Sequence, residues 1–535
     1  MRKFTFLFFL IFSVGICAQT ELVFIFFNDK PNKAAFYANP LSELTQKSLD
    51  RRTALGIPLN DQDVPVEPLF IQSIENLGFT VTDISKWLNG VAVQANAAQI
   101  SIIQNLPMVQ SVESFAKISG PGTKMAPQHQ NKFGNFQKSA LASFNYGNGS
   151  AQIDQINLRN LHVAGFTGSG ITIAIIDTGY PAVDTANAYQ RLWANNQIKG
   201  GYNFVSKNTD IYNSALNPHG SVVLGAIGGY IDHVFVGSAP DADFYLYISE
   251  NTAVEIPEEE LYWIMAAEEA DRKGADIINT SLGYNTFDDP KYSYTYSDMN
   301  GTASFIARGA QIAAEKGIIV MVAAGNSGAS PWHYITTPAD NQMVFTVGAV
   351  DDAGNSSTFS SYGPNAAGII KPDAAARGTA AASVSVNGPI SSNGTSLATP
   401  IAAGGVACLL QAVNPATPRA LIRSRLRETA SLFPAHTDQM GYGILNFGGI
   451  LQTFLSTHDV ENPAVKVYPN PVVDYIYVEH TIKMRTAEIY DHLGRMVRKL
   501  SPVQNKIYVG DLVSGVYYLK VQSEGSSFAE EFIKK

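Results

Sequence analysis

The 535-residue chain carries 37 basic and 46 acidic residues, a net charge of −9, with 45 % hydrophobic and 10 % aromatic residues. At about 100–200 residues per domain this predicts three or four domains with real cores, and it excludes a disordered chain. Charged residues reach only 16 %, so a mildly acidic, charge-poor surface is a poor partner for nucleic acid or anionic membrane.

Cys17 and Cys408 are the only cysteines, which rules out a disulfide framework and a Cys-rich zinc module. None of the nine histidines falls in a His-Glu-x-x-His pair, so that metalloprotease class drops out. At the N-terminus, Arg2 and Lys3 precede an apolar run over 4–16 and then Cys17-Ala18-Gln19. This is the layout of an export signal over 1–18, cut after Ala18. The run is shorter than the roughly 20 residues a membrane helix needs, and bulky Ile16 argues against lipidation at Cys17. No later segment reads as a membrane span.

Residues 22–115 read as a small α/β unit. Leu22–Phe27 has strand length, and Pro68 opens a helix (Leu69, Phe70, Ile74, Leu77) that Gly78 ends. The runs 79–88 and 91–95 flank Asn89-Gly90, a strong hairpin signal. A helix over 97–105 and a strand over 109–115 complete a split β-α-β-β-α-β layout. Residues 119–150 lose all apolar period and read as an exposed linker open to nicking.

From 151 to 455 strands and helices alternate, which implies a parallel sheet between helices. Ile171–Ile176 is a continuous apolar run, the mark of a strand buried on both faces. Pro257 and three acids open a helix that Gly274 closes before the strand 275–280. A second helix around Phe305–Ala313 ends at Gly317 before the strand 318–323. Beyond 463, short strand-like runs at 475–478, 488–490, 506–509 and 516–521 indicate an all-β sandwich.

Three segments of the large domain carry chemistry. Ile175-Ile176-Asp177-Thr178-Gly179 sets a carboxylate where a buried parallel strand ends, the place where open α/β sheets bind ligands. His219-Gly220-Ser221-Val222-Val223-Leu224-Gly225 puts a histidine at the start of an apolar, small-residue helix. Gly394-Thr395-Ser396-Leu397-Ala398-Thr399-Pro400 puts a serine at a helix N-terminus, where free N–H groups stabilise negative charge. Taken singly, each has a bland explanation: an Asp-Gly turn, a capping histidine and an N-cap serine.

Together these segments resemble the signatures of the subtilisin-like serine proteases, in the family's Asp, His, Ser order and separated by 42 and 177 residues. Ala323-Ala324-Gly325-Asn326-Ser327-Gly328 resembles the family's oxyanion-hole loop. The resemblance implies Ser396 as nucleophile, His219 as general base and then acid, and Asp177 as the group that orients the imidazole. It also implies Asn326 and the Ser396 N–H as oxyanion donors, with Ser281, Leu282, Gly283 and Gly325 against the substrate backbone. Leu224 stands where the family usually has Ala, Leu397 replaces the commoner Met, and Tyr180-Pro181-Ala182-Val183-Asp184 departs from the usual sequence after the aspartate.

Residues 19–118 resemble, in layout, the inhibitory propeptides of such proteases. The stretches 467–471, 487–491 and 515–521 resemble the sorting domain of the type IX secretion system. The implied protein is a secreted or cell-surface endopeptidase made as a zymogen. It would be a monomer acting on protein or peptide substrates, inhibited by its own propeptide and exported through the secretion machinery. Its catalysis would need no cofactor. The family's structural calcium is compatible with acidic loops such as Asp288-Asp289, but no calcium-loop spacing is present, so no ligands are assigned. An aspartic protease needs a second Asp-Thr-Gly, and only one exists here. An α/β-hydrolase esterase using Ser396, Asp438 and His458 lacks the second glycine of its elbow, replaced by Ala398, and a buried strand over 391–393. A degenerate protease fold kept as a surface binding module stays open as the non-enzymatic alternative. Arg419, Arg423, Arg425 and Arg427 read as a solvated helix face, and Cys408 as a small packed hydrophobe.

Overall fold

The computed structural model describes residues 20–117, 146–455, 465–480, 484–491, 496–501, 505–523 and 526–535. The export signal with Cys17, residues 119–145 of the linker expected over 119–150, and His458 lie outside the described residues. The chain divides into two units, Met1–Phe454 and Leu455–Lys535.

The N-terminal part of the first unit comprises β1 (Glu21–Phe27), α1 (Lys33–Ala38), α2 (Gln46–Leu55), α3 (Pro68–Glu75), β2 (Asp83–Ser85), β3 (Gly90–Ala95), α4 (Ala97–Gln104) and β4 (Val109–Ser114). The strands form an antiparallel sheet in the order β2-β3-β1-β4. Side chains alternate across β1, as a strand requires. Val23, Ile25 and Phe27 pack with Ile74 of α3 and Ile103 of α4, while Leu22 and Phe24 face the next domain. The uninterrupted apolar run of β1 thus reflects burial on both faces.

The next domain begins before residue 150: Tyr146 Oη hydrogen-bonds His162 Nδ1 at 2.8 Å and Gly147 bridges to Phe235. Helices α5 (Ser150–Gln155) and α6 (Arg159–Val163) lead to β5 (Thr172–Asp177). There follow α7 (Gln190–Ala194), β6 (Ile198–Asn203), α8 (His219–Gly228), the short pair β7 (Tyr230–Ile231) and β8 (Phe235–Val236), and β9 (Asp243–Ile248). Then come α9 (Glu258–Lys273), β10 (Ile277–Thr280), α10 (Phe305–Glu315), β11 (Ile319–Ala323), β12 (Phe345–Val350) and β13 (Ala374–Arg377). The hairpin β14 (Ala381–Ser385) and β15 (Gly388–Ser392) precedes α11 (Thr395–Ala412), α12 (Arg419–Glu428) and α13 (Phe447–Leu455).

Seven of these strands form one parallel sheet in the order β13-β12-β11-β10-β5-β9-β6. Ile173 and Ile175 of β5 face α8 and α11, whereas Ala174 and Ile176 face α9 and α10. The same alternation places Ile319 and Met321 of β11 on one side and Val320 and Val322 on the other. The sheet is therefore covered on both faces. Helix α11 is long and apolar enough to cross a membrane, but 89 % of its apolar window is buried inside the domain. It is a core helix.

The small antiparallel sheet lies on α9 and α10. Phe115 stacks on Phe305 of α10 at 3.9 Å between centroids, and Phe24 and Trp87 join the same core. Charge is buried beside it. The guanidiniums of Arg51 and Arg52 both reach the carboxylate of Asp271 in α9; Arg52 also pairs with Asp63 at 2.9 Å, and Lys316 with Asp63 at 3.1 Å. None of these side chains is more than 2 % exposed. Ser85 Oγ and the Trp87 N–H donate to the Glu268 carboxylate at 2.6 and 3.0 Å. That docking shortens the expected hairpin. Residues 86–89 turn to meet Glu268, so Gly90 pairs with Ser85 and opens β3 instead of sitting in a two-residue loop.

Helix α12 also departs from expectation. Arg423 is buried, Arg427 pairs with the buried Asp373 at 2.6 Å, and the 9 %-exposed Arg419 side chain lies 4.0 Å from Asp276. Only Arg425, paired with Glu428 at 2.5 Å, fits a solvated face.

The second unit contains β16 (Val465–Tyr468), β17 (Tyr475–His480), β18 (Met484–Asp491), β19 (Met496–Leu500), β20 (Lys506–Tyr508), β21 (Gly515–Ser523) and β22 (Ser526–Lys534). Two sheets, β16-β17-β20 and β19-β18-β21-β22, enclose Ile476, Val478, Ile489, Ile507, Leu519 and Phe532. This is a small β-sandwich.

Removing one partner of a buried ion pair strands the other, at about 3–5 kcal/mol. Asp271→Ala, which leaves the buried Arg51 without its carboxylate and Arg52 with Asp63 alone, should lower the denaturant stability of the intact, uncleaved chain by about that amount. A loss below about 1 kcal/mol would show that this cluster does not hold the two domains together.

Candidate active site

Strands β5, β10 and β11 are consecutive neighbours and parallel, so their carboxyl ends share one edge of the sheet. The chain leaves that edge as Asp177-Thr178-Gly179, as Ser281-Leu282-Gly283 and as Ala324-Gly325-Asn326. Open α/β sheets carry their ligand sites at such an edge.

Asp177 is 1 % exposed and His219, the first residue of α8, 3 %. Asp177 Oδ1 lies 2.7 Å from His219 Nδ1 and also accepts from Thr178 N at 2.8 Å. A carboxylate on Nδ1 sets the imidazole tautomer, with the proton on Nδ1 and the lone pair on Nε2. Asn217 Oδ1 accepts from His219 N at 2.9 Å and fixes the start of the helix. Gly220 allows the close approach: a Cβ there would meet Gly179 O at 2.5 Å and Asp177 Cβ at 3.2 Å. Beneath the pair, buried Tyr180 donates to Ile175 O at 2.7 Å, and burial drives its phenol pKa well up. The departure at 180–184 thus supplies a packed support for the β5 end.

Ser396 occupies the first turn of α11 and is 4 % exposed. Its neighbour Thr395 donates to Asn326 Oδ1 from both N (2.9 Å) and Oγ1 (3.0 Å), and Gly325 N donates back to Thr395 Oγ1 at 3.2 Å. The carbonyl side of the Asn326 amide is thereby occupied, which leaves its Nδ2 on the other side. A Cβ built on Gly394 would lie 2.7 Å from Ser396 Oγ and 3.8 Å from Asn326 Nδ2, so both border the same small space. Ser281 Oγ donates to Ser396 O at 3.1 Å and ties the end of β10 to the same turn. Leu282 packs into the sheet–helix core, which leaves backbone as what this segment offers a ligand.

The contacts described thus join Asp177 to His219, Ser396 to Ser281, and Thr395, the neighbour of Ser396, to Asn326. Thr395, Asn217 and Thr178 are supports that sequence reasoning left without roles. Thr395 stood inside the quoted motif, which was its one visible signal. Leu224 and Leu397 are both buried in the core around α8 and α11. Cys408 is buried with Sγ 3.4 Å from Ser238 O, and burial raises its thiol pKa. Strand β15 runs to Ser392, where no strand was expected, but it pairs only with β14 and lies outside the parallel sheet. Asp438 is exposed. Among the described residues, no group of three or more His, Cys, Asp or Glu side chains could hold a metal ion. A base oriented by a carboxylate, and a helix-terminal hydroxyl beside a carboxamide, are equipment for acyl transfer through serine.

Three family models match the chain: the subtilase family over residues 168–444, a peptidase S8 propeptide domain of Bacteroidota over 22–132, and a secretion system C-terminal sorting domain over 466–535. The chain belongs to the subtilase family. It is 32 % identical over 287 residues to alkaline elastase YaB of Bacillus sp. (strain YaB), covering 53 % of this chain and 65 % of that protein. It is 30 % identical over 299 residues to subtilisin BL of Lederbergia lenta, covering 55 % and 95 %. Against subtilisin E of Bacillus subtilis (strain 168) it is 30 % identical over 299 residues, covering 55 % and 69 %. The sorting domain marks the protein for export to the cell surface or beyond.

Behind the Thr336–Thr337 strip that flanks Gly283, Asp340 is fully buried and accepts from Gly301 N at 2.7 Å. Burial raises its pKa from 3.8 to about 6. A carboxyl that binds its proton more tightly when folded stabilises less as pH rises, here from about 4 through 6. Above that window it costs about 3 kcal/mol. Asp340→Asn keeps an oxygen for Gly301, so the difference in unfolding free energy between variant and wild type should shift in the variant's favour by about that much across pH 4–6. A difference independent of pH would refute the assignment.

Proposed function

We propose that the protein is a secreted serine endopeptidase, made as a zymogen, that cuts peptide bonds through an acyl-enzyme on Ser396. What supports this reading above all is the small space at Gly394 that Ser396 Oγ and Asn326 Nδ2 both border, together with a histidine already held by Asp177. The reading requires His219 Nε2 within proton-transfer reach of Ser396 Oγ; the packing of α8 against α11 supports it.

In this mechanism a substrate chain lies along Ser281–Gly283 with its scissile carbonyl at Ser396. Oγ attacks the carbonyl carbon as Nε2 takes its proton, and Asp177 stabilises the imidazolium that forms. The tetrahedral oxyanion is held by Asn326 Nδ2 and the Ser396 N–H. Collapse breaks the C–N bond, and His219 returns the proton to the leaving amine. Water, deprotonated by the same imidazole, then attacks the acyl carbon and releases the acid and Ser396. Side-chain and backbone groups suffice for every step.

The proposed domain scheme is a signal over 1–18, a propeptide over 19–118, a linker from 119 that is cut on activation, a catalytic domain that takes in Tyr146 and Gly147 and runs to 455, and a sorting domain over 463–535. The propeptide, docked on α9 and α10, acts as the intramolecular inhibitor.

Ser396→Ala should abolish peptide hydrolysis and, where processing is autocatalytic, leave the propeptide attached. Asn326→Ala should lower turnover by about 10²–10³-fold, the loss an oxyanion donor carries in a subtilisin. Steady-state assays with normal rates for either variant would overturn the mechanism. Deleting 463–535 should leave hydrolysis intact and stop delivery to the outer surface; cell fractionation showing equal export would remove the sorting role.

A further inference from the structure

One side chain stands between the two segments proposed to flank the substrate. A Cβ placed on Gly283 would fall 2.3 Å from Thr336 Oγ1 and 3.2 Å from Thr336 Cβ, and one on Gly325 would fall 3.3 Å from the same oxygen. The backbone holds Thr336 in place. Its neighbour Thr337 pairs both ways with Tyr284 (2.9 and 3.1 Å), and Ile335 N donates to Tyr362 O at 3.1 Å. Thr336 is 5 % exposed, and its hydroxyl is buried with no hydrogen-bond partner among the described residues. The other hydroxyl against Gly325, that of Ser361, is engaged by the Ser327 N–H at 2.9 Å.

We infer that Thr336 closes the pocket for the substrate side chain on the acyl side of the scissile bond, so that the protein cuts after short residues: glycine, alanine and serine. This rests on the peptidase reading of Ser396. With the carbonyl oxygen at Asn326 and the substrate backbone along Ser281–Gly283, that side chain is directed into the gap between Gly283 and Gly325. An aromatic ring or a leucine there needs about 3.5–4 Å of clearance to carbon on each side, and the Thr336 side chain takes up that space. A short side chain stops above it.

The test uses the full chain after maturation, with working sites counted by a serine-directed fluorophosphonate so that misfolded material does not enter the rates. Four peptide substrates differ only in the residue before the cut: alanine, serine, leucine or phenylalanine. Wild type should favour alanine and serine over leucine and phenylalanine by at least about tenfold in kcat/KM, the scale on which pocket size discriminates. Thr336→Gly should raise phenylalanine relative to alanine by a similar factor. Thr336→Val, which keeps the volume, should leave the preference for alanine over phenylalanine in place. A wild-type preference for leucine or phenylalanine, or a titrated Thr336→Gly enzyme with an unchanged profile, would overturn the inference. Absence of both labelling and hydrolysis in wild type would instead overturn the peptidase reading itself.

Discussion

Everything at the proposed site hangs on the anchoring of the α11 N-terminus to the ends of two sheet strands. Thr395 spends both its N–H and its hydroxyl on Asn326 Oδ1, and Ser281 Oγ holds Ser396 O. Strands buried on both faces can carry reactive groups only at their ends, as β5 does with Asp177, because an unpartnered polar side chain within them is costly. The polar residues therefore collect where parallel neighbours end together. The two bonds to Oδ1 also decide which way the Asn326 amide points: a carbonyl so occupied leaves its NH₂ for the other side.

On the proposed zymogen reading, the face made by α9 and α10 holds a partner that must eventually leave. An apolar interface would bind the N-terminal domain well but expose a large greasy patch once it departed. Here the apolar contact around Phe305 is bordered by Glu268, Asp271 and Lys316, which water can solvate in the propeptide's absence. While docked, those charges are removed from water, and burial pushes the Glu268 pKa up. Their cost is offset only by partners from the other domain, which makes the docking geometry specific.

How far the sequence could be read follows from what each element buries. Strands β1 and β5 were legible because they are apolar on both faces, α9 because opening acids, an apolar period and a closing glycine mark it, and α10 because of its apolar period and closing glycine. Asp177, His219, Asn326 and Ser396 lie in contiguous motifs, so their places could be named before any fold was known. Helix α2 was missed for an equally physical reason: its buried residues are Ser48, Arg51 and Arg52, so no apolar period exists. The caps Thr45 and Gly56 were its remaining signals. The arginines of α12 were misread on the same ground, since their counter-charges Asp373 and Asp276 are remote in sequence. Thr336 carries no motif and gains meaning only from the two glycines the fold brings to it.

The departures from family pattern show where such a site tolerates change. Leu224 and Leu397 lie within the first two turns of α8 and α11, yet both side chains point into the core shared by those helices. Added bulk there is met by neighbouring apolar groups and does not enter the cleft. Helix α11 makes this possible because it is apolar nearly all round and almost wholly buried. A helix clamped on every side fixes the position of its first turn, which is what a nucleophile placed there needs. The same rigidity means that fit to substrate has to be adjusted in the loops beyond β10 and β11, where the Thr336 strip lies, and not in the helices that carry the proposed reactive groups.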